Sequence, residues 1–142
     1  MAKVEMDGLG ELTLSLKEIS DLPDAVIDKM LNAQADIAEA AQQEEATRML
    51  VGPYATGTTA MTVRKGKVKI KNGQRVLYLT PVGTRARGKA KTRNAEIAFL
   101  NEFGTRKIPA RPFIRTANER TAVEQEKAAM RIYDDYLKSK GL

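Results

Sequence analysis

Residues 67–79, KVKIKNGQRVLYL, contain the strongest local structural signal in the chain. Val68 and Ile70 alternate with lysines before Asn72-Gly73, and the β-prone run Val76–Leu79 follows. Asn-Gly between two β-prone runs is typical of a type I′ turn, which needs positive φ at both of its central positions. These residues therefore predict a β-hairpin.

A two-residue turn fixes the register of the hairpin and therefore its two faces. Because side chains alternate along a strand, we expect one face to meet the core and the other to face outward. The expected pairs are Lys71 with Gln74, Lys69 with Val76 and Lys67 with Tyr78 on the outward face, and Ile70 with Arg75, Val68 with Leu77 and Gly66 with Leu79 on the core face.

Two long helical patterns flank the hairpin. Alanines and apolar residues recur at helical spacing from Pro23 to about Leu50, where Gly52-Pro53 ends the helix, and again from about Phe113 to Lys138. The polar row Gln42–Glu45 predicts that the distal half of the first helix is less buried. The predicted class is α+β, in which a small antiparallel sheet with a β-hairpin packs against two long helices.

Three shorter segments have weaker local patterns, and two of them fit both a helix and a strand. Alternation around Val4 and Met6, and again from Leu12 to Leu16, predicts two short strands, although a helix over residues 11–19 also fits. Residues 94–103 favour a helix that Asn94 caps and Gly104 ends, but the parity of their apolar residues also fits a strand. Residues 54–60 are predicted to form a loop.

The composition excludes the residue types that most often act in catalysis. The 142 residues include neither His nor Cys, so the usual general base, zinc ligands and thiol nucleophile are absent. The adjacent acidic pairs Glu44-Glu45 and Asp134-Asp135 point in different directions on a helix and form no catalytic dyad. We therefore expect a single domain over residues 1–142 with no catalytic residues, no cofactor and no metal site. No apolar run approaches the ~20 residues of a membrane span.

Positive charge is concentrated in the middle of the chain. Residues 46–95 contain twelve Lys or Arg and no Asp or Glu, so a net charge of +6 leaves −6 on the flanks. Such a block is either a solvated face or a surface that meets acidic neighbours or nucleic acid. The predicted basic contact surface comprises Lys65, Lys67, Lys69, Lys71, Arg85, Arg87, Lys89, Lys91 and Arg93.

Residues 83–93, GTRARGKAKTR, place a cation at every second position and contain almost no apolar side chain. They predict a flexible loop that is either functional or ordered by a partner. In an extended chain these cations lie on one side, where they can neutralise phosphates, so a basic nucleic-acid-binding protein is an alternative function. The scarcity of aromatic residues and the absence of Trp argue against it.

Residues 101–117, NEFGTRKIPARPFIRTA, combine the turn Phe103-Gly104-Thr105 with the stretch P-A-R-P-F at 109–113. The combination resembles the bacteriophage head–tail joining family, also called tail-completion or neck proteins, of long-tailed phages and prophages. The sequences GLGEL at 8–12 and PYATGT at 53–58 are similar to two further family motifs. The segment TTAM at 58–61 departs from the family, which usually has a Leu-containing segment there that re-enters the core.

The resemblance implies a structural protein of the virion, at the phage neck or tail end, assembled in the host cytoplasm. It implies a ring of identical copies, expected to be a hexamer, that contacts head connector or stopper proteins and tail tube or tail terminator proteins. The genome would pass through the ring, with non-specific contact to DNA and no contact with a membrane.

The motif itself has a physical interpretation. Gly104 permits a tight change of direction, Pro109 and Pro112 stiffen the segment that follows, and Phe113 anchors the last helix in the core. The same features also fit a purely structural role as a rigid entry to that helix. The predicted assembly interface comprises Phe103, Gly104, Thr105, Pro109, Arg111, Pro112 and Tyr78.

Overall fold

A computed structural model describes residues 4–7, 22–52 and 55–141. The predicted α+β class is confirmed, and no helix in this described part is long and apolar enough to cross a membrane. The elements in chain order are β1 (Val4–Asp7), α1 (Asp24–Met49), α2 (Thr58–Thr62), β2 (Val63–Lys65), β3 (Lys69–Lys71), β4 (Gln74–Pro81), β5 (Thr84–Arg87), β6 (Ala90–Arg93), α3 (Asn94–Phe103) and α4 (Phe113–Ser139).

The predicted hairpin is formed by β3 and β4. Asn72 and Gly73 have φ values of 51° and 75°, as the type I′ turn requires. Lys71 pairs with Gln74, and the next two pairs also follow the expected register. The turn chemistry and the register next to the turn are therefore confirmed.

The ladder is interrupted between β3 and β2. Lys65, and not Gly66, lies opposite Leu79, so the strand gains one residue relative to β4 between Lys65 and Lys69. The Gly66 amide still donates to the Tyr78 carbonyl at 2.8 Å. The prediction of an unbroken ladder as far as Gly66 is wrong, because an extra residue of this kind forms a β-bulge that bends the strand.

The predicted faces of the hairpin are correct near its base and wrong at its tip. Leu77 and Leu79 are buried, and Val68 packs against the core. Ile70 is 70% exposed, because β3 is an edge strand whose three residues are all exposed. Val76, expected on the outward face, is buried, since β4 is a central strand flanked by β2, β3 and the parallel strand β1.

The two long helices pack along each other and over the sheet, close to the predicted bounds. One cluster joins Met30 and Leu31 of α1 to Ala129 of α4 and Leu77 of β4. A second surrounds Phe113, which is completely buried, as predicted for the start of the last helix. Small side chains along both helices let their axes approach closely; these residues are Ala35, Ala38, Ala41, Ala46, Ala117 and Ala129.

One face of the distal half of α1 is buried and includes two residues of the polar row, which corrects the prediction that this half is less buried. Gln42 is fully buried and Glu45 nearly so, because the first turns of α4 cover them. Gln42 Nε2 donates to Asn118 Oδ1 at 3.1 Å, and Arg120 lies 3.5 Å from the Glu45 carboxylate. Polar residues are buried here with partners on the facing helix, a pattern that helical periodicity alone does not reveal.

The acidic residues of α1 neutralise part of the basic block. Arg75 donates to both oxygens of Asp28 at 2.7 Å, and this hydrogen bond raises the pKa of Arg75. Lys65 Nζ lies 2.6 Å from Asp36, and the Lys65 amide donates to Glu39 at 2.7 Å. These contacts fasten β2 and β4 to the helix.

Residues 83–93 form an antiparallel β-hairpin and not the predicted structureless loop. Arg87 pairs with Ala90 across a turn in which Gly88 has a φ of 61°. Glycine at the first turn position is typical of type II′ hairpins, and the period-two alternation of 85–93 is a strand pattern. The prediction failed because the alternating residues are cations, so no apolar face marked the strands.

The structure decides some of the remaining secondary-structure alternatives. Residues 94–103 form a helix ended by Gly104, as favoured, and residues 4–7 form the first predicted strand. The segment 54–60 is not only a loop, since α2 begins at Thr58 and buries Thr59 and Ala60. The alternatives for residues 11–19 lie outside the described residues.

Gln34 gives a direct test of the packing around α1. It is fully buried, and neither its Nε2 nor its Oε1 has a hydrogen-bond partner among the described residues. We expect Gln34→Met to raise the free energy of unfolding by about 1–3 kcal/mol, because it removes an unsatisfied amide at nearly constant volume. Urea denaturation measures the change.

Gln42→Met is the matched control. It removes the bond from Gln42 Nε2 to Asn118 together with Gln42 Oε1, which has no hydrogen-bond partner among the described residues, so it should be less stable than Gln34→Met, which removes no bond. A Gln34→Met protein that is less stable than the wild type would contradict this view of the packing around α1.

Candidate assembly surface

Helix α3 has its apolar side toward solvent. Its buried residues are Asn94, Ala98 and Glu102, which recur every four positions and so share one face. The other side of the helix exposes 61% of Phe99, 42% of Leu100 and 67% of Phe103. These three exposed residues are called the α3 patch below.

The polar residues on the inner face of α3 have specific partners. Asn94 Nδ2 donates to the Val82 carbonyl at 2.8 Å, and Asn94 Oδ1 accepts from Arg85 Nε at 2.7 Å. The Asn94 side chain is therefore not the predicted helix cap, because it is used to hold the base of the β5–β6 hairpin. Burial of a polar side chain is tolerated when such bonds replace water.

Glu102 joins α3 to α4. Its carboxylate accepts hydrogen bonds from the amides of Ile114 at 2.8 Å and Arg115 at 3.0 Å. These amides belong to the first turn of α4, whose N–H groups have no partner within the helix. A carboxylate at this positive end of the helix dipole is doubly favourable, so Glu102 acts as the cap of α4 from outside the helix.

The α3 patch is aromatic and contiguous. The ring centroids of Phe99 and Phe103 are 4.6 Å apart, with the rings tilted by 49°. Only three phenylalanines occur in the chain, and the third, Phe113, is fully buried. Exposure of two large aromatic side chains side by side is a feature of protein interfaces more than of ordinary surface.

The turn after α3 holds the patch in a fixed orientation. Gly104 has a φ of 74°, and a Cβ there would lie 2.7 Å from the Ala110 nitrogen and 2.8 Å from the Ile108 oxygen. The Thr105 amide donates to the Ile108 carbonyl, and the Thr105 hydroxyl accepts from the amides of Lys107 and Ile108. The predicted tight change of direction is confirmed, and only glycine fits at its start.

The predicted interface residues divide into exposed and half-buried positions. Phe103, Thr105 and Pro109 are exposed, while Gly104, Arg111 and Pro112 are half-buried. Arg111 Nη1 donates to the Val51 carbonyl at 3.1 Å, which ties this segment to the end of α1. Tyr78 belongs to the other hairpin, where its hydroxyl accepts a hydrogen bond from Lys71.

A cleft of about 600 Å³ lies on this side of the molecule. It separates the end of α1 and the start of α2 from α3 and residues 108–111. Its lining is mainly apolar and includes Leu50, Val51, Met61, Ile97 and Ile108, together with Arg85 and Arg111.

Four of the nine predicted basic residues have partners within the chain. Besides Lys65 and Lys71, Arg93 lies 2.9 Å from Glu96. Arg85 points inward, where its Nη2 donates to Thr59 at 2.9 Å, and burial lowers the pKa of Arg85. These four residues serve the fold more than an external contact.

The other five form two separate groups. Within the described part of the chain Lys67, Lys69, Arg87, Lys89 and Lys91 are exposed and lie within 4.0 Å of no carboxylate. The first two lie at the bulge and β3, and the last three surround the tip of the β5–β6 hairpin. Sequence reasoning had treated them as one surface.

No group of three or more acidic residues among residues 22–52 and 55–141 is placed to hold a metal ion.

The predictions from sequence did not include Phe99, Leu100 or Glu102 in the candidate assembly surface. The helical interpretation of 94–103 already placed Phe99 and Phe103 one turn apart, so their contact could have been found from spacing. The role of Glu102 has no comparable signal, because its partners lie twelve and thirteen residues away.

Searches with this chain match no protein-family model, no curated protein sequence and no solved structure.

Replacement of Glu102 tests its capping role. We expect Glu102→Gln to lower the free energy of unfolding by about 1.5–3 kcal/mol, because the amide loses the charge that both α4 amides contact. Glu96→Gln, which removes an exposed ion pair on the same helix, should change it by less than about 1 kcal/mol. Equal effects of the two substitutions in urea denaturation would rule out the cap.

Proposed function

We propose that this chain is a structural subunit of a bacteriophage neck, which assembles through the α3 patch into a ring that joins the DNA-filled head to the tail. The observation on which the proposal rests is the reversed orientation of α3, with polar residues inward and Phe99 and Phe103 outward. A monomeric protein gains nothing from this arrangement, because burying two phenylalanine side chains elsewhere would stabilise it by several kcal/mol, roughly 1.5–3 each.

The rigidity of the surrounding segment supports an interface. Glu102 fastens α3 to α4, and the turn from Gly104 to Ile108 is closed by three hydrogen bonds. A patch that is already ordered loses little conformational entropy when it binds. Aromatic anchors on such a frame are the side chains that most often dominate interface energies.

The resemblance to the head–tail joining family overlaps this surface at Phe103. Its aromatic-Gly-Thr turn contains Phe103 of the patch and Gly104, and its P-A-R-P-F stretch leads into the buried Phe113. The proposed partners are other copies of this chain, head connector or stopper proteins, and tail tube or tail terminator proteins. The proposed location is the virion neck, after assembly in the host cytoplasm, and the proposed role involves no catalysis.

Deletion of the gene from the parent phage tests the role. We expect electron micrographs of lysates to show filled heads beside complete but unattached tails, because only the joining step should fail. Normally joined, infectious particles would refute the neck assignment.

Complementation of the deletion tests the surface. We expect Phe99→Ser with Phe103→Ser to restore few or no joined particles, because an interface loses both aromatic anchors. Val123→Ser with Met130→Ser is the control, since it removes two exposed apolar side chains from α4. Equal rescue by both double variants, at equal melting temperatures, would exclude the α3 patch from assembly.

A freestanding nucleic-acid-binding protein is the second candidate. The five exposed cations that have no carboxylate partner among the described residues favour it. A nucleic-acid-binding function gives the α3 patch no role. The phenotype of the gene deletion distinguishes the two candidates.

A further inference from the structure

We propose that the β5–β6 hairpin, residues 84–93, binds the phosphate backbone of double-stranded DNA without reading its sequence. This hairpin is called the basic ribbon below. The inference rests on the proposed neck function for its biological setting, in which the genome passes the ring, but its test measures DNA binding itself.

The charge of the ribbon is unbalanced at its tip. Residues 84–93 contain five cations and no carboxylate. Arg85 and Arg93 are engaged at the base, by Thr59 and Asn94 and by Glu96 respectively. Arg87, Lys89 and Lys91 remain exposed around the turn. Three cations close together repel one another unless a polyanion neutralises them.

The register of the ribbon distributes these cations over both of its faces. Arg87 lies opposite Ala90, and Lys91 lies opposite Ala86, so Arg87 and Lys91 point to opposite faces while Lys89 occupies the turn. The extended-chain expectation of a single row of charge is therefore wrong. A ribbon with charge on both faces suits a groove lined by phosphates on two sides, and the major groove of DNA admits a two-stranded ribbon.

The remaining side chains of the ribbon argue against a protein partner. Apart from its cations it contains only Thr84, Ala86, Gly88, Ala90 and Thr92. None of these is large enough to be the buried anchor that protein interfaces depend on. The α3 patch differs from the ribbon, because two of its three exposed residues are large aromatic side chains that can serve as anchors.

Single-stranded nucleic acid is also a poor match. Proteins that bind it without sequence preference usually stack bases on aromatic side chains. The ribbon itself contains no aromatic residue, so it has no side chain on which a base could stack.

The base of the ribbon is held firmly enough to present its tip. The Asn94 amide donates to the Gly83 carbonyl at 3.0 Å, and Arg85 reaches both Asn94 and Thr59. A two-stranded hairpin without such support is only marginally stable in water. These contacts support a hairpin whose tip cations are exposed.

The test compares the binding of the full chain to a 30-base-pair duplex of mixed sequence over a range of salt concentrations. With three phosphates neutralised per subunit, the slope of log K against log salt should be about −2.7, so that affinity falls about 40-fold between 50 and 200 mM salt. The triple variant Arg87→Gln, Lys89→Gln and Lys91→Gln should lose most of this slope and at least about tenfold in affinity at low salt.

A matched triple variant controls for net charge. Lys127→Gln, Arg131→Gln and Lys138→Gln remove three exposed cations from α4, so each triple variant lowers the net charge from +6 to +3. The control should keep the wild-type slope. Equal losses in both triple variants, or tighter binding of a single strand than of the duplex, would overturn the proposal, provided that thermal melting shows both variants folded.

Light scattering distinguishes the remaining alternative. If the ribbon variant changes the oligomeric mass and not DNA binding, the ribbon is a contact between copies and the proposal fails. The Phe99→Ser, Phe103→Ser protein should keep the DNA-binding slope while it loses assembly. If the ribbon variant keeps its DNA binding, the ribbon proposal fails and the neck proposal still stands. If the Phe99→Ser, Phe103→Ser protein assembles normally while the ribbon variant loses DNA binding, the neck interface fails and the ribbon proposal stands.

Discussion

The orientation of the candidate surface depends on the carboxylate of Glu102. This carboxylate accepts hydrogen bonds from the amides of Ile114 and Arg115 and so links the inner face of α3 to the first turn of α4. Asn94 is fastened at the other end of the same face, so α3 is held at both ends with its polar side inward. The apolar side is left in solvent as a consequence. A helix whose polar contacts determine its orientation in this way keeps its aromatic residues available to a partner.

The α3 patch and the basic ribbon differ in chemistry although they are consecutive in the chain. The ribbon ends at Arg93 and contains five cations and no carboxylate, whereas α3, which begins at Asn94, exposes the apolar side chains of the patch. Apolar anchors are suited to a defined protein contact, whereas isolated cations are suited to a mobile polyanion, because ionic contacts with phosphates need no fixed register. A ring subunit that passes DNA would need both kinds of surface.

The packing of α1 against the sheet neutralises some of the basic residues of the strands. The carboxylates of α1 lie against the basic strands, and Asp28 and Asp36 neutralise Arg75 and Lys65. Among the described residues, the exposed cations Lys67, Lys69, Arg87, Lys89 and Lys91 have no carboxylate within 4.0 Å. Net charge alone therefore overstates the external basic surface, since part of the central block is satisfied by the acidic flank of the same chain.

Local chemistry made much of this structure predictable from sequence: the Asn72-Gly73 turn requires positive φ, the spacing of small and apolar residues defines α1 and α4, and Gly104 ends α3. These features depend on neighbours within a few residues. Which side of α3 is buried, why Ile70 is exposed, and which cations are neutralised depend on residues brought together by the fold. Sequence reasoning failed there because hydrogen bonds such as those of Glu102 and Asn94 outweigh hydrophobic periodicity, and their partners are defined only when the elements pack.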